Sequence, residues 1–289
     1  MRKRVTLFDV VVHIIAIFLL VIAAYPLWLV LMNSFSDPAA VAAGEVLFLP
    51  KGFSFNGYLE IFKNKDILTG YANTIFYTVV GTLINLFVTV PCGYVLTKRT
   101  LPGKKILMTF LMITMYFSGG LIPTFLLVNS LGMYNTRWPL LLLGAFSMYN
   151  CIICRSFFAG IPRELEESAA IDGSSDIRTF IQIILPLSKA LLGVMVLYFA
   201  VAHWNSYFNG MIYIRDDAMQ PLQVFLRRIL LMAQQQVDVE NGEYIEDLQK
   251  LEALIRYGII VVASLPLLVV YPFLQKYFDK GVLIGSVKG

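Results

Sequence analysis

Charged residues are scarce in this sequence: they make up 15% of its 289 residues, whereas 58% are hydrophobic and 13% are aromatic. A soluble domain carries about 25% charged residues, so the composition excludes an ordinary soluble domain. With a mean hydropathy of +0.71, the chain is expected to lie in membrane lipid. Its net charge of +4 does not indicate a nucleic-acid partner, because membrane proteins collect Lys and Arg on cytoplasmic loops.

The sequence also lacks a phosphate-binding loop of the form G-x-x-x-x-G-K-[ST]. The nearest approach is Gly103-Lys104, where Lys98 replaces the first glycine and Lys105 replaces the final Ser or Thr. We therefore expect that the chain is not an enzyme, that it holds no cofactor and that it does not hydrolyse ATP.

Groups suited to metal binding, catalysis or ion coupling are few. The chain has three cysteines, all within or beside apolar stretches, where thiols behave as small hydrophobic groups. Ion-coupled transporters usually carry several ionisable residues at mid-membrane depth. Here the candidates are His13, Arg155, Lys189 and His203, and most of them lie near the ends of apolar stretches. These absences disfavour a metal site, an intramembrane enzyme and an ion-coupled secondary transporter.

What the sequence does contain is apolar stretches long enough to cross the roughly 30 Å hydrocarbon core of a bilayer. They predict an all-α integral membrane protein in which residues 1–289 form a single transmembrane domain. Gly119, Gly120 and Pro123 predict a kink or irregular turn inside the third stretch. The six predicted spans are residues 10–32, 71–97, 106–128, 139–158, 186–211 and 257–277.

The positive charges predict the orientation of these spans. Lys and Arg cluster at the N-terminus, after residue 97, in the polar segment 162–186 and in the C-terminal tail, whereas one opposite loop carries only Arg137. Positively charged loops stay cytoplasmic, so both termini are expected in the cytoplasm. Residues 213–256 are then extracytoplasmic. Their first part is amphipathic and predicts an interfacial helix, and the acidic stretch 238–252 is either a solvated face or a contact surface for a partner.

The polar segment 162–186 predicts two short helices joined at a glycine. Pro162 suits the first turn of a helix, and three glutamates then follow near the positive end of the helix dipole. Asp172-Gly173 predicts the end of this helix, because glycine readily adopts the left-handed conformation. Ser174 or Ser175 can cap a second helix, whose apolar face would include Ile177, Phe180, Ile181 and Ile184.

This segment resembles the EAA loop of ABC-importer permease subunits, the cytoplasmic loop that docks on the ATP-hydrolysing subunit. The resemblance rests on Glu167-x-Ala169-x-x-x-Gly173, followed after nine residues by Ile183-x-Leu185-Pro186. Ser168 is a departure, since the family usually has Ala there, but Ser is nearly as small. The resemblance implies a type I ABC importer permease fold. It implies that the ATPase-coupling residues are Glu164, Glu167, Ser168, Ala169, Asp172, Gly173, Ile183, Leu185 and Pro186.

Two further segments are similar to the maltose-type carbohydrate permeases of this family. They are the Gly- and Lys-Gly-rich tail 281–289 and the pair Trp204-Asn205. The resemblance implies a second permease subunit, two ATPase subunits that bind ATP and Mg, and an extracellular solute-binding protein that delivers an oligosaccharide. It also implies a location in the plasma membrane of a Gram-positive bacterium. An ABC permease for a non-sugar solute, and an ion-coupled secondary transporter, remain alternatives.

A sugar path through the membrane requires aromatic faces together with amide or hydroxyl groups. Tyr and Trp can instead anchor a span at the membrane interface, and Asn can bond neighbouring helices. With that alternative open, the predicted substrate-path residues are Tyr116, Tyr149, Asn150, Trp204 and Asn205.

Overall fold

The computed structural model describes residues 6–234 and 255–272. Within these two ranges every regular element is helical, so the prediction of an all-α protein is confirmed. The helices are α1 (Leu7–Ser34), α2 (Pro38–Ala42), α3 (Asn56–Lys63), α4 (Lys65–Val95), α5 (Lys104–Tyr116), α6 (Leu121–Ser130), α7 (Trp138–Leu142), α8 (Met148–Ala159), α9 (Glu164–Ile171), α10 (Asp176–Thr179), α11 (Leu185–Leu187), α12 (Lys189–Trp204), α13 (Tyr207–Tyr213), α14 (Leu222–Gln234) and α15 (Ile255–Pro272).

Three of these helices are long and apolar enough to cross a membrane by themselves, namely α1, α4 and α15. Two bent pairs also pass the same test of length and composition. In one, the chain bends by 111° between α5 and α6, and in the other it bends by 84° between the run Asp176–Leu187 and α12. The described part of the chain therefore has three candidate spans, or five if each bent pair is one span. Six spans remain a prediction.

The fourth predicted span, residues 139–158, is not one continuous helix. The structure divides it into α7 and α8, because Ser147 adopts an extended conformation and its side chain accepts a hydrogen bond from the Asn150 amide. That bond caps a new helix. With 12 residues, α8 is about 18 Å long, which is less than the thickness of the hydrocarbon core. The sequence prediction of a single helix here is wrong.

The irregular turn predicted in the third span is confirmed. Gly120 has a φ of +83° and precedes α6, with Pro123 in the first turn of that helix. A backbone position with positive φ favours glycine. Pro is accepted in the first turn of a helix because an N–H group there would have no partner within the helix. The predicted kink is thus a sharp turn between two helices.

The described residues form two compact units: residues 6–68 with 226–234 and 255–265, and residues 69–225 with 266–272. The first unit contains α1, whose most apolar 18-residue window is entirely unburied. Contacts at the C-terminal end of α1 hold it to the segment that follows. The Phe35 ring stacks on the Phe53 ring with centroids 5.8 Å apart, and the side chains of Ser34 and Tyr58 share a 2.7 Å hydrogen bond. The exposed apolar surface of α1 needs lipid or another protein to cover it.

The second unit is packed around α4, whose glycines allow three close approaches. A Cβ atom on Gly70 would lie 3.2 Å from the Cα atom of Leu222, and a Cβ atom on Gly93 would meet the Cβ atom of Cys154. At Gly81 an added Cβ atom would collide with the ring of His203. Small residues at helix contacts are how membrane helices pack closely, because lipid supplies little hydrophobic drive for helix association.

Polar side chains on α4 add hydrogen bonds to these close contacts. The Asn85 side chain bonds His203 Nε2 at 2.7 Å and donates its amide to the Gly144 carbonyl. Nearer the start of α4, Thr74 Oγ1 accepts a 2.8 Å bond from the Leu222 amide. Asn85 and Thr74 are buried, so these bonds satisfy polar groups that would be costly to leave unpaired.

The beginning of α14 packs inside the chain, and its location at the membrane interface stays a prediction. Leu222 is fully buried and Val224 is buried, and the Leu222 amide bonds to α4. The side-chain-free backbone at Gly70 provides the space for this contact. The acidic stretch 238–252 lies outside the described residues, and so do the tail 281–289 and the end of the sixth predicted span.

The contact between Gly81 and His203 leads to a first prediction. Gly81→Ala should lower the unfolding free energy of the purified protein in detergent by about 1–3 kcal/mol, the usual cost of overpacking a core. The measurement is the midpoint of thermal unfolding. Gly119→Ala is the control, because nothing lies within 4 Å of a Cβ atom there. Equal midpoints for Gly81→Ala and the wild type would contradict the close packing of α4 and α12.

Candidate functional site

The segment 162–186, hereafter the docking loop, contains the two short helices that the sequence predicts. The first is α9, and Glu164, Glu166 and Glu167 occupy its first turn. The amides of Glu166 and Glu167 both bond to the Arg163 carbonyl, so the intrahelical bonds start at Arg163. The prediction that Pro162 lies in the first turn is therefore wrong, and Pro162 precedes the helix.

The end of α9 is confirmed at Asp172-Gly173. Gly173 has a φ of +76°, its amide bonds to the Ala170 carbonyl at 3.0 Å, and the Ser174 amide bonds to the Ala169 carbonyl at 2.9 Å. This pair of bonds is the Schellman motif, which satisfies the last carbonyl groups of a helix. Backbone hydrogen bonds within the docking loop therefore terminate α9.

The second helix begins with Ser175, whose side chain accepts a hydrogen bond from the Arg178 amide at 3.3 Å. After α10 the chain forms one wide π-helical turn, Phe180–Ile184, followed by α11. Such wide turns are rare and frequently lie at functional sites. Ser188 then separates this run from α12, and its buried side chain donates to the Ile184 carbonyl at 2.7 Å.

Lys98, which follows the C-terminal end of α4, is bonded to both helices of the docking loop. Its Nζ lies 2.6 Å from Glu166 Oε2 in α9 and 3.2 Å from Asp176 Oδ1 at the start of α10. The side chains of Lys98 and Glu166 are 23% and 28% exposed, whereas that of Asp176 is 86% exposed. Exposed ion pairs contribute little, so the contact with Glu166 is the stronger of the two.

An aromatic stack lies under this cation. Lys98 Nζ is 4.5 Å from the centroid of the Tyr94 ring, and Tyr94 stacks on Phe180 with ring centroids 4.8 Å apart. Burial by itself lowers the pKa of Lys98, but the neighbouring carboxylates of Glu166 and Asp176 outweigh burial and raise that pKa. Lys98 is therefore a cation at neutral pH. The sequence does not predict this role of Lys98, because spacing along the chain cannot show which carboxylates a lysine reaches.

Two other cations bind the free carbonyl groups after α4. Lys104 Nζ donates to the carbonyls of Thr97 and Lys98, and Arg155 Nε donates to the carbonyl of Leu96. Positive charge is favourable at the C-terminal end of a helix dipole. A cavity of about 200 Å³ opens beside these groups, and its lining includes Thr97, Lys98, Arg99, Arg163, Glu166 and Glu167.

The outward face of the docking loop is apolar at several positions. Ile171, Ile177 and Ile181 are exposed, as is Gly173 between them in sequence. Clustered apolar residues on a polar protrusion are typical of a surface that another protein covers. Ala169, by contrast, is buried within the chain, so its small side chain serves packing inside this protein. The contact of the predicted coupling residues, Ala169 included, with an ATPase stays a prediction.

The predicted substrate-path residues differ in their surroundings. Asn150 and Trp204 are buried, and Trp204 packs edge-on against Tyr71 with ring centroids 5.7 Å apart. Tyr116, Tyr149 and Asn205 are exposed, and the Asn205 side chain donates to the Val201 carbonyl at 2.9 Å. These five residues therefore do not form one exposed surface of this chain, and their contact with a sugar remains a prediction.

Comparison with known proteins assigns the chain to a family. A family described as binding-protein-dependent transport system inner membrane component matches residues 67–284, which includes α4 and the whole docking loop. The chain belongs to this permease family. The family is one of transport components, which agrees with the expectation that the chain is not an enzyme.

Individual members of the permease family support this assignment. Protein LplC of Bacillus subtilis is 42% identical over 93% of this chain and 90% of its own length. The polygalacturonan/rhamnogalacturonan transport system permease protein YtcP of the same organism is 39% identical over 100% of both chains. The galactooligosaccharides transport system permease protein GanQ is 30% identical over 96% of this chain and 94% of its own.

A solved structure shows that the fold is shared as well. One chain of a bacterial ABC transporter involved in the import of the acidic polysaccharide alginate superimposes with a TM-score of 0.86 and 33% identity, over 96% of this chain and 99% of that one. The resemblance to carbohydrate ABC-importer permeases predicted from the sequence is confirmed by these relatives. The chain is a membrane permease of this family and shares the fold of an ABC-importer chain.

Proposed function

We propose that the chain is a permease subunit of a binding-protein-dependent ABC importer that takes an oligosaccharide into the cell. The observation that carries this proposal is the full-length identity of 39% with a permease named for polygalacturonan and rhamnogalacturonan transport. The names of GanQ and of the alginate importer also refer to carbohydrate transport. Uronate-containing oligosaccharides are therefore the first substrates to test.

The proposal includes partners that this chain requires. The proposed permease subunit has six spans, and its two termini and the docking loop lie in the cytoplasm of a Gram-positive cell. Two ATPase subunits then bind ATP and Mg and dock on the loop, whose exposed isoleucines and preformed helices suit a protein contact. A second permease subunit and an extracellular solute-binding protein complete the importer. Co-purification tests this assembly, since an ion-coupled transporter would retain no ATPase and would transport alone in liposomes under an ion gradient.

Gly173 provides a test of docking. Gly173→Arg should abolish sugar-stimulated ATP hydrolysis by the assembled importer, because a long side chain would project from a strained turn into the ATPase contact. A positive φ costs a non-glycine residue about 1–2 kcal/mol, so backbone strain must be controlled for. Membrane insertion should be unaffected.

Gly132→Arg is the matched control, because Gly132 also has a positive φ, +67°, and nothing lies within 4 Å of a Cβ atom there or at Gly173. Gly132 follows α6, outside the docking loop. It should keep sugar-stimulated hydrolysis. Normal stimulated hydrolysis in Gly173→Arg, or equal loss in both variants, would exclude a specific docking role for Gly173.

The substrate path is tested with Tyr149, which is 57% exposed and can be truncated with little damage to packing. Tyr149→Ala should lower oligosaccharide uptake about two- to tenfold, taking an aromatic face over a sugar ring to be worth as much as an aromatic pair, roughly 0.5–1.5 kcal/mol beyond the area it buries. Basal ATP hydrolysis and assembly should persist. Asn150→Ala and Trp204→Ala are expected to act in the same direction, but both residues are buried, so their folding must be measured first.

Uptake of labelled oligosaccharide into proteoliposomes is the measurement, and Tyr116→Ala is a comparison at another exposed tyrosine. If Tyr149→Ala transports at the wild-type rate, Tyr149 does not contact the sugar.

A further inference from the structure

We infer that Lys98 is a positioning residue that fastens both helices of the docking loop to α4, so that movement of the loop is passed on to α4. The inference rests on the proposed function, because it is the ATPase that would move the loop. The sequence assigns Lys98 only a part in membrane orientation, and the contacts of this one side chain are what indicate more.

The first observation is that one ammonium group bonds two separate helices. Glu166 is in α9 and Asp176 is at the start of α10, with the glycine turn between them. Lys98 belongs to neither helix and lies 68 residues before Glu166 in the chain. Lysine suits this arrangement, because its ammonium group has three donors and no fixed plane.

The second observation is that the contact is partly withdrawn from water. Lys98 and Glu166 have side chains that are about three-quarters buried, and the Tyr94 ring lies 4.5 Å from the ammonium. Removing one partner from such a pair leaves the other charge desolvated and unpaired, which is far more damaging than the loss of an exposed ion pair. A stacking contact adds to the two ion pairs of Lys98 at the same place: the Tyr94 ring of α4 packs on the ring of Phe180, which belongs to the π-helical turn.

The third observation is that residues of the loop itself close its helix ends. Its own backbone closes α9 at Gly173, and Ser175 caps α10. Removal of the Lys98 charge should therefore leave two helices with their turn intact but weaken their attachment to α4. With 31 residues, α4 is about 46 Å long, and its buried face bonds His203 through Asn85. It is the element through which movement of the loop reaches the interior of the second unit.

The test uses the whole importer in proteoliposomes with Lys98→Met, which removes the charge and keeps an unbranched side chain. Basal ATP hydrolysis and retention of the ATPase should match the wild type. Sugar transported per ATP hydrolysed should fall about three- to tenfold, in line with the size of coupling between contacting charged groups. Lys98→Arg should recover much of the ratio, because it keeps the charge and the hydrogen-bond donors.

Lys105→Met is the matched control, since Lys105 is an exposed cation in the first turn of α5, seven residues after Lys98, and takes part in none of the ion pairs found among the described residues. Its transport per ATP should equal that of the wild type. The double variant Lys98→Glu with Glu166→Lys should transport more per ATP than Lys98→Glu alone. A merely structural role of Lys98 would change stability or assembly without changing this ratio.

Three outcomes would overturn the inference: a wild-type ratio in Lys98→Met, an equal loss in Lys105→Met, or no gain from the reversed pair. If Lys98→Met does not assemble, Glu166→Gln serves as the second variant. It is expected to lower the same ratio, and a normal ratio in that variant overturns the inference too. A wild-type importer that retains no ATPase would instead disprove the proposed function, so the two failures are distinguishable.

Discussion

The packed part of this protein depends on close approach to the buried face of α4. Glycines at positions 70, 81 and 93 leave space for Leu222, His203 and Cys154. A larger residue at any of these positions would push a neighbouring segment away from the helix. Buried polar groups are costly to leave unpaired, and the bonds of Thr74 and Asn85 give these two groups partners. Close packing at small residues and hydrogen bonds between polar groups thus stabilise this region, as apolar burial stabilises the core of a soluble protein.

The same helix connects this packed region to the docking loop. Beyond the last turn of α4, Lys104 and Arg155 bond to its free carbonyl groups, and Lys98 extends to the carboxylates of the loop. Tyr94, one turn earlier, packs against Phe158 and Phe180. The end of α4 is consequently a junction of apolar, aromatic and ionic contacts. A loop held in this way can receive a force from another subunit without being detached from the membrane domain.

The docking loop itself combines local and tertiary determinants. Its helix ends follow from local chemistry, since the glycine conformation at Gly173 and the cap at Ser175 depend on residues within a few positions. Its attachment depends on Tyr94 in α4 and on Lys98 just after that helix, which are distant in sequence from the loop. The buried position of Ala169 shows the difference: the sequence indicates a small residue for close approach, but only the fold shows that the approach is to this chain's own interior.

By itself, the sequence determined the membrane location and the helical class, because both follow from composition and hydropathy. It also determined the two helices of the docking loop and the permease family, because cap residues and the motif lie within a short stretch of the chain. It also predicted the break at Gly119-Gly120. The tertiary structure alone decided that residues 139–158 form two helices, that α14 starts against α4 and that Trp204 packs on Tyr71. It alone brought Lys98 to Glu166 and Asp176. These features depend on which surfaces meet after folding. A local pattern of residue types along the chain does not show which other surface each one will contact.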